Sequence, residues 1–486
     1  MPVERREARR VTQYSFTPQV CEDGPFRGYV KLHWIRAAAE KRRAQKVSSL
    51  MHHLHTDNLR RAFRELDGSK ACGVDGVTKQ KYEVDLESNL RALHHTIRCG
   101  GWRPRPSREV LIPKPQGGTR PLAVGCLEDK IVQTLTARIL EAVYEPLFHR
   151  HSYGFRRGKS AHQALGRLYS VIEARQQKCV VVEMDIEKFF NSVDHEWLLQ
   201  KLKLKIEDEH FLRHIRRLLR GSILHEDGSL AETERGTPQG SPVSPMLANI
   251  CLHHLLDEWF EAEFASQGEF IRYADDAVFV FTDEAVAQSF QSALQGRLQE
   301  AGLSLNTAKS AIVPFSVNAP KGFVSFLGFD FFWGRDKKGN RLLKLKTAAK
   351  RLHRAMGAFT DWVKMSRSRK PLKQLWVDAA ARLSGHFNYF GVRFNEAKLS
   401  HFRFVCIGAL FKWLNRRSQK RSFSWSKFER KLHFNPLPLE PRGDGLIDIT
   451  SEHRSVRKHQ PKSRVRENRT HGSERSLSRS RRLRFT

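Results

Sequence analysis

Three acids stand where a carboxylate is costly. Asp185 ends the apolar run Cys179-Val180-Val181-Val182-Glu183-Met184, and Asp275-Asp276 interrupt an otherwise apolar stretch from Phe270 to Phe281. A charge in such surroundings needs a compensating cation. If the segments are neighbouring strands, Asp185 and Asp275 can jointly hold two Mg²⁺ ions about 4 Å apart, with Mn²⁺ as a substitute. The backbone carbonyl of Ile186 would offer a further oxygen. Metals so spaced suit in-line displacement at phosphorus, one activating a hydroxyl and the other neutralising the leaving group. Asp is equally favoured in tight hairpin turns. On these residues alone, both readings stand.

The elements that must position them follow from pattern. Cys179–Met184 is short and β-branched, so it reads as a buried strand. Glu269–Phe281 reads as strand, turn, strand. A Gly/Pro-rich link at 236–245 precedes a helix over Pro245–Phe264, and 283–302 forms an amphipathic helix. This order predicts an α/β architecture of the split βαβ kind, a sheet with helices on one face. Upstream, Trp34–Ala44 and Ile131–Phe148 have helical periodicity. Beyond residue 343 the pattern is mainly helical to about 418, clearest over Leu352–Val363 and Leu372–Phe390.

Composition narrows the partners. Of 486 residues, 85 are Lys or Arg against 52 Asp or Glu, giving +33 with histidine neutral. That balance argues against an enzyme of neutral small molecules and for a polyanion bound in a salt-sensitive way. The seven cysteines contain no CxxC pair, so buried free thiols are expected rather than disulfides or a zinc module. No apolar segment approaches the ~20 residues needed to cross a bilayer, and no membrane partner is expected. A cytoplasmic place of work, with association to the nucleoid, suits these features. Residues 451–486 hold 12 Lys/Arg against 3 Glu, a tail too polar to order itself by burial.

Several further motifs occur in order: Gly73-Val74-Asp75-Gly76, Ile112-Pro113-Lys114 with Arg120-Pro121-Leu122, Ser152-Tyr153-Gly154-Phe155-Arg156-Arg157, Asp185-Ile186-Glu187-Lys188-Phe189-Phe190-Asn191, Arg235-Gly236-Thr237-Pro238-Gln239-Gly240, Tyr273-Ala274-Asp275-Asp276, Leu303 to Ser310, and Phe326-Leu327-Gly328. In this order they resemble a reverse transcriptase of the group II intron-encoded type over residues 60–440. The resemblance implies a right-hand polymerase: a basic extension at 1–60, fingers at 61–178, and a palm at 179–335 with part of the fingers inserted. An α-helical thumb, or X domain, follows at 336–440, and a basic tail at 441–486.

It also implies roles. Asp185, Asp275 and Asp276 would be the catalytic metal-binding acids, with Lys309 steadying the triphosphate or protonating pyrophosphate. Lys114, Arg120 and Gln239 would meet the incoming nucleotide, and the Phe190 ring would exclude a 2′-hydroxyl. Arg156, Arg157, Tyr273 and Gly328 would contact template or primer. Lys412, Arg416 and Arg417, interleaved with Trp413, would contact RNA. Lys188 and Asn191 depart from the small residue and the acid usual in the family. No His/Cys cluster of the family's HNH endonuclease follows residue 440. The implied partners are a structured RNA, namely a group II intron, an RNA template with a DNA or RNA primer, dNTPs and a DNA target. Alternatives are a host-associated enzyme in phage defence or DNA repair, or a splicing factor that binds RNA without polymerising.

Overall fold

The computed structural model describes residues 26–113, 118–318, 322–417 and 423–449. Lys114, residues 1–25 of the N-terminal arm and residues 450–486 of the basic tail lie outside them. Within the described residues, strands form where β-branched and aromatic side chains concentrate. A hairpin of β1 (Ser107–Pro113) and β2 (Thr119–Val124) comes first, then β3 (Val180–Met184). Two short strands follow, β4 (Ile223–Leu224) and β5 (Leu230–Ala231), then β6 (Gly268–Tyr273), β7 (Asp276–Phe281) and β8 (Ala311–Pro314). The last three are β9 (Val324–Phe326), β10 (Phe329–Arg335) and β11 (Arg341–Thr347).

They assemble into three sheets, ordered β2-β1-β4-β5, β6-β7-β3-β8 and β11-β10-β9. Although β4 follows β3 in sequence, it pairs in parallel with β1, Ser107 opposite Ile223. The chain therefore returns to the first sheet after starting the second, before completing the second with β6 and β7.

The central sheet is covered on both faces, where helices on one face were expected. Val180, Val182, Phe279 and Phe281 join a core with Phe260, Phe264 and Phe290. Val181, Val278, Val280 and Ile271 join a second core with Leu165, Leu168 and Ile172, from the helix Ala161–Ala174, and with Phe331 of β10. Apolar residues at consecutive positions are what a strand buried on both sides requires.

Three long helices, Ala349–Ser366, Leu372–Phe390 and Glu396–Leu414, build the region after β11. Its start differs from expectation: residues 343–347 belong to β11, and a boundary at 335/336 would cut the β10–β11 hairpin. The alternation of Leu343, Leu345 and Thr347 with lysines is a period-two pattern inside a stretch read as helical. The predicted helix over Pro245–Phe264 runs from Ser244 to Glu263, with a π turn at His253–Asp257 in its middle. No helix among the described residues is long and apolar enough to cross a membrane. Of the described cysteines, Cys126, Cys179, Cys251 and Cys406 are buried free thiols, whereas Cys99 is exposed.

Candidate active site

Strand pairing brings the acids together. β3 and β7 are antiparallel neighbours with Met184 opposite Ala277, so Asp185, the next residue of the chain, emerges beside Asp276. β6 and β7 are joined by a two-residue turn, Tyr273 opposite Asp276, with Asp275 in the turn. The acids thus sit in a hairpin turn and also converge on one another, and the turn is what aims them.

The turn is held from beneath. Ala274 has φ of 59°, a left-handed conformation that a residue with a Cβ resists. The guanidinium of Arg272, fully buried, donates through Nη1 to the Ala274 carbonyl at 3.0 Å and to Asn249 Oδ1 at 3.1 Å. Its other nitrogens donate to Asp257 at 2.8 and 2.5 Å. The backbone of 151–154 lies alongside, with Tyr153 N–H donating to the Arg272 carbonyl at 2.8 Å. Gly154 presses so close that a Cβ there would stand 2.1 Å from Ala274 N. Only glycine fits that approach.

A loop caps the other side. Ser310 Oγ accepts from Asp185 N–H at 3.2 Å, and Asn306 N–H donates to the Asp185 carbonyl at 2.8 Å. This loop delivers Lys309, whose Nζ stands 3.0 Å from Asp185 Oδ2. Asp185, Asp276, Lys309 and Gly328 line one cavity of about 250 Å³. Leu327 and Gly328 take φ of 52° and 82° at the β9–β10 turn, and Tyr389 Oη donates to the Leu327 carbonyl at 2.9 Å. The helix Leu372–Phe390 thereby steadies the Gly328 turn.

The electrostatics are those of a site short of positive charge. Asp276 opens to solvent at the floor of a cleft. Surrounding protein mass, then the charges of Asp275 and Asp185, push its carboxyl up to about 6. Asp275 is raised by burial and by Asp185. Lys309 and Arg351 oppose the shift at Asp276. Arg351 has no place in the sequence motifs, yet it lies beside the Gly328 turn, 3.5 Å from where a Cβ would be. A cluster of hard oxygen donors carrying surplus negative charge fits divalent cations such as Mg²⁺.

A second cavity, of about 310 Å³, lies on the fingers side and is lined by Phe190, Asn191, Arg235 and Gln239. Phe190 is partly buried and meets Phe189 edge-on, ring centres 5.4 Å apart. Gly236, with φ of 80°, lets the next loop close on Phe190: a Cβ there would stand 2.5 Å from the Phe190 carbonyl. Arg120 Nε donates to Gln239 Oε1 at 2.5 Å, and Gln239 Nε2 donates to Asn191 Oδ1 at 3.1 Å. Asn191, a departure from the family pattern, therefore orients Gln239.

One arginine departs from its expected role. Arg156 does not face a template. Its side chain is buried, paired with Glu145 at 2.9 Å, and donates to the carbonyls of His149 and Ser152. A guanidinium with its donors occupied inside the protein braces the segment that carries Gly154. Arg157 is more open and pairs with Glu141 at 3.3 Å and Glu65 at 3.6 Å.

Lys412 and Arg416 lie over the Trp413 ring at 5.6 and 5.3 Å, joined there by Lys364 at 5.6 Å and Arg367 at 5.0 Å. Arg417 donates to the Lys370 carbonyl at 3.1 Å. Elsewhere, His253, His254 and Glu258 place one ligand atom each within 4.8 Å of the others, a group that could hold a metal ion.

Residues 112–331 match the family described as reverse transcriptase (RNA-dependent DNA polymerase). Over these residues the chain is similar to the reverse transcriptase family. Over 171 residues it is 43% identical to an uncharacterized 91 kDa protein in the cob intron of Schizosaccharomyces pombe, covering 34% of this chain and 20% of that protein. It is 29% identical over 310 residues to protein YkfC of Escherichia coli, 56% of this chain and 78% of that one. The group II intron-encoded protein LtrA of Lactococcus lactis is 32% identical over 195 residues, 40% of this chain and 32% of LtrA. The match thus spans a third or less of the two intron proteins' length. In motif order and in these relatives the chain resembles the group II intron-encoded type.

Proposed function

We propose that this chain is an RNA-directed DNA polymerase that extends a primer 3′-hydroxyl with dNTPs on an RNA template. One observation carries the reading: Asp185, Asp275 and Asp276 converge from adjacent strands of the palm, with Lys309 against Asp185. Asp185, Asp275 and Asp276, with the Ile186 carbonyl, would hold two Mg²⁺ ions, Mn²⁺ serving in their place. When bound, such ions lower the pKa of the primer hydroxyl and offset the charge of pyrophosphate.

The chain's own residues do the rest. Arg120, tethered by Gln239, meets the triphosphate together with Lys114, and its charge already reaches Asp275. Phe190 walls off the space of a 2′-hydroxyl. Lys309 gives up its contact with Asp185 to steady the triphosphate or protonate the leaving pyrophosphate. Gly328 would bring backbone to the primer end, and Tyr273 and Arg157 would contact template and primer. Purified protein with poly(rA)/oligo(dT), dTTP and Mg²⁺ should extend the primer, and the double variant Asp275→Ala/Asp276→Ala should not, while still binding RNA. Failure of the wild type across primers and salt conditions refutes the polymerase.

We further propose that it acts as a maturase on a structured group II intron RNA, with a DNA target for mobility. The basic cage around Trp413 favours this, since a dense cation cluster on a stacking platform suits structured RNA. Work in the cytoplasm, at or near the nucleoid, fits such partners. Sequencing RNA that copurifies with the native protein tests it: an intron supports the maturase, and unrelated host or phage RNA points to defence or repair instead.

A further inference from the structure

The helix Ser244–Glu263 carries a feature that polymerase chemistry leaves unused. Its π turn, His253–Asp257, sits beneath the central sheet. In a regular α-helix, residues five apart point about 140° from each other. A π turn closes i→i+5, so it stacks His253 over Glu258 while His254 stays within reach of the same carboxylate. His253 Nε2 is 3.4 Å from Glu258 Oε1, and His254 Nδ1 is 2.7 Å from Glu258 Oε2. Around a zinc ion at about 2.0–2.1 Å from nitrogen, tetrahedral ligands stand about 3.3–3.4 Å apart. The first separation matches that spacing, and the second is a hydrogen bond that the ion would open.

A second observation points the same way. His253 and His254 are 5% and 3% exposed, yet His253 Nδ1 and His254 Nε2 have no hydrogen-bond partner. These are the nitrogens turned away from Glu258, so the ion would be met by His253 Nε2 and His254 Nδ1, and the outer nitrogens call for second partners. His253 Nδ1 lies 4.0 Å from Asp257 Oδ2, the acid that grips Arg272. A metal-bound histidine characteristically points its other ring nitrogen at a carboxylate, which fixes the ring. An ordinary helical His254–Glu258 pair, four residues apart, would account for neither the π turn nor His253.

We propose that His253, His254 and Glu258 form a transition-metal site of the zinc class, which pins the π turn and, through Asp257 and Arg272, the turn that carries the catalytic aspartates. Two imidazoles and one carboxylate select zinc, cobalt or nickel over magnesium. Half-exposed Glu258 gives the ion its way in, and a fourth position is left for water. The site is independent of the polymerase reading.

The test uses the full chain, stripped with a chelator and titrated with Zn²⁺ by calorimetry and with Co²⁺ by absorption. The wild type should take up one equivalent, give a tetrahedral Co²⁺ spectrum, and gain several degrees in melting temperature with Zn²⁺. Asp275→Ala/Asp276→Ala should bind equally. Glu258→Gln and His254→Gln should each weaken binding on the order of 100-fold, with circular dichroism confirming the fold. Because His254→Gln keeps a polar side chain, it serves if Glu258→Gln does not fold. Zn²⁺ should also slow amide exchange over 272–276 in the wild type. No uptake overturns the proposal. So does uptake that both variants leave unchanged, which would assign the ion elsewhere, for example to His453, His459 and His471. Uptake lost in the aspartate double variant overturns it as well.

Discussion

Replacing Asp276 by Asn should stabilise the metal-free protein at neutral pH. Its carboxyl is raised from 3.8 to about 6 by burial and by Asp275 and Asp185. Two units would amount to about 3 kcal/mol in a dry site. Asp276 opens to solvent, and screening reduces this to about 1 kcal/mol. The folded pKa lies above the unfolded one, so the folded state binds its proton more tightly. The penalty is therefore absent below about pH 4, grows as pH rises through the folded pKa, and is fully present above it. In chelator at about pH 7.5, Asp276→Asn should melt about 1–2 °C above wild type, a modest shift because the response shrinks with chain length. Toward pH 4 the gap should close. Mg²⁺ should close it too at neutral pH, by stabilising the wild type through binding. A variant that is no more stable than wild type in chelator, or a gap indifferent to both pH and Mg²⁺, would refute the picture of repelling acids awaiting a cation.

Three further outcomes follow from the same geometry. Phe190→Ala should raise the use of rNTPs relative to dNTPs by about 10- to 100-fold in single-nucleotide extension, the scale on which a pocket wall discriminates; unchanged selectivity would make Phe190 only a core aromatic. Lys309→Met should lower kcat about 100-fold or more and move the acid limb of the pH–rate profile upward, because Lys309 opposes the raised pKa of Asp276. Asp257→Ala leaves the buried Arg272 unpaired and should cost about 3–5 kcal/mol in urea unfolding; a loss under about 1 kcal/mol would mean that Arg272 finds another partner.

The acids were legible because burial of charge is a signal in sequence: Asp185 and Asp275-Asp276 stand out from apolar strands without reference to coordinates. Their convergence was not, since pairing of β3 with β7 across nearly a hundred residues is a tertiary fact. Gly154 and Arg156 illustrate the opposite failure. A Gly-Phe-Arg-Arg string reads as a phosphate contact, but Gly154 is there to admit the Ala274 backbone and Arg156 to brace that approach. Asn191 had the same ambiguity, a departure with no visible partner until Gln239 folded onto it. Arg351 carries no local signal, because only the placement of the thumb helix brings it to the Gly328 turn. The π turn is equally silent in sequence, its residues having ordinary helical preferences. Strand content at 343–347 was present in the alternation with lysine but masked by the helices that follow.

The basic cage around Trp413 permits a sharper test of RNA binding than a loss of affinity. Four cations gather on one ring, and among the described residues none of Lys364, Lys412, Arg367 or Arg416 has an acidic ion-pair partner. Such charges are free to replace counterions on phosphate. Each phosphate neutralised contributes about 0.9 to the log–log salt slope on duplex, and about 0.7 on single strands. Lys412→Ala/Arg416→Ala should therefore flatten the slope by about 1.4–1.8 and weaken all RNA sequences alike. Arg417→Ala should behave differently, because that guanidinium is tied to the Lys370 carbonyl. Its loss should loosen the end of the thumb helix and leave the slope nearly unchanged. If the double variant loses affinity with an unaltered slope, the cations support Trp413 by packing, and the RNA phosphates are met elsewhere.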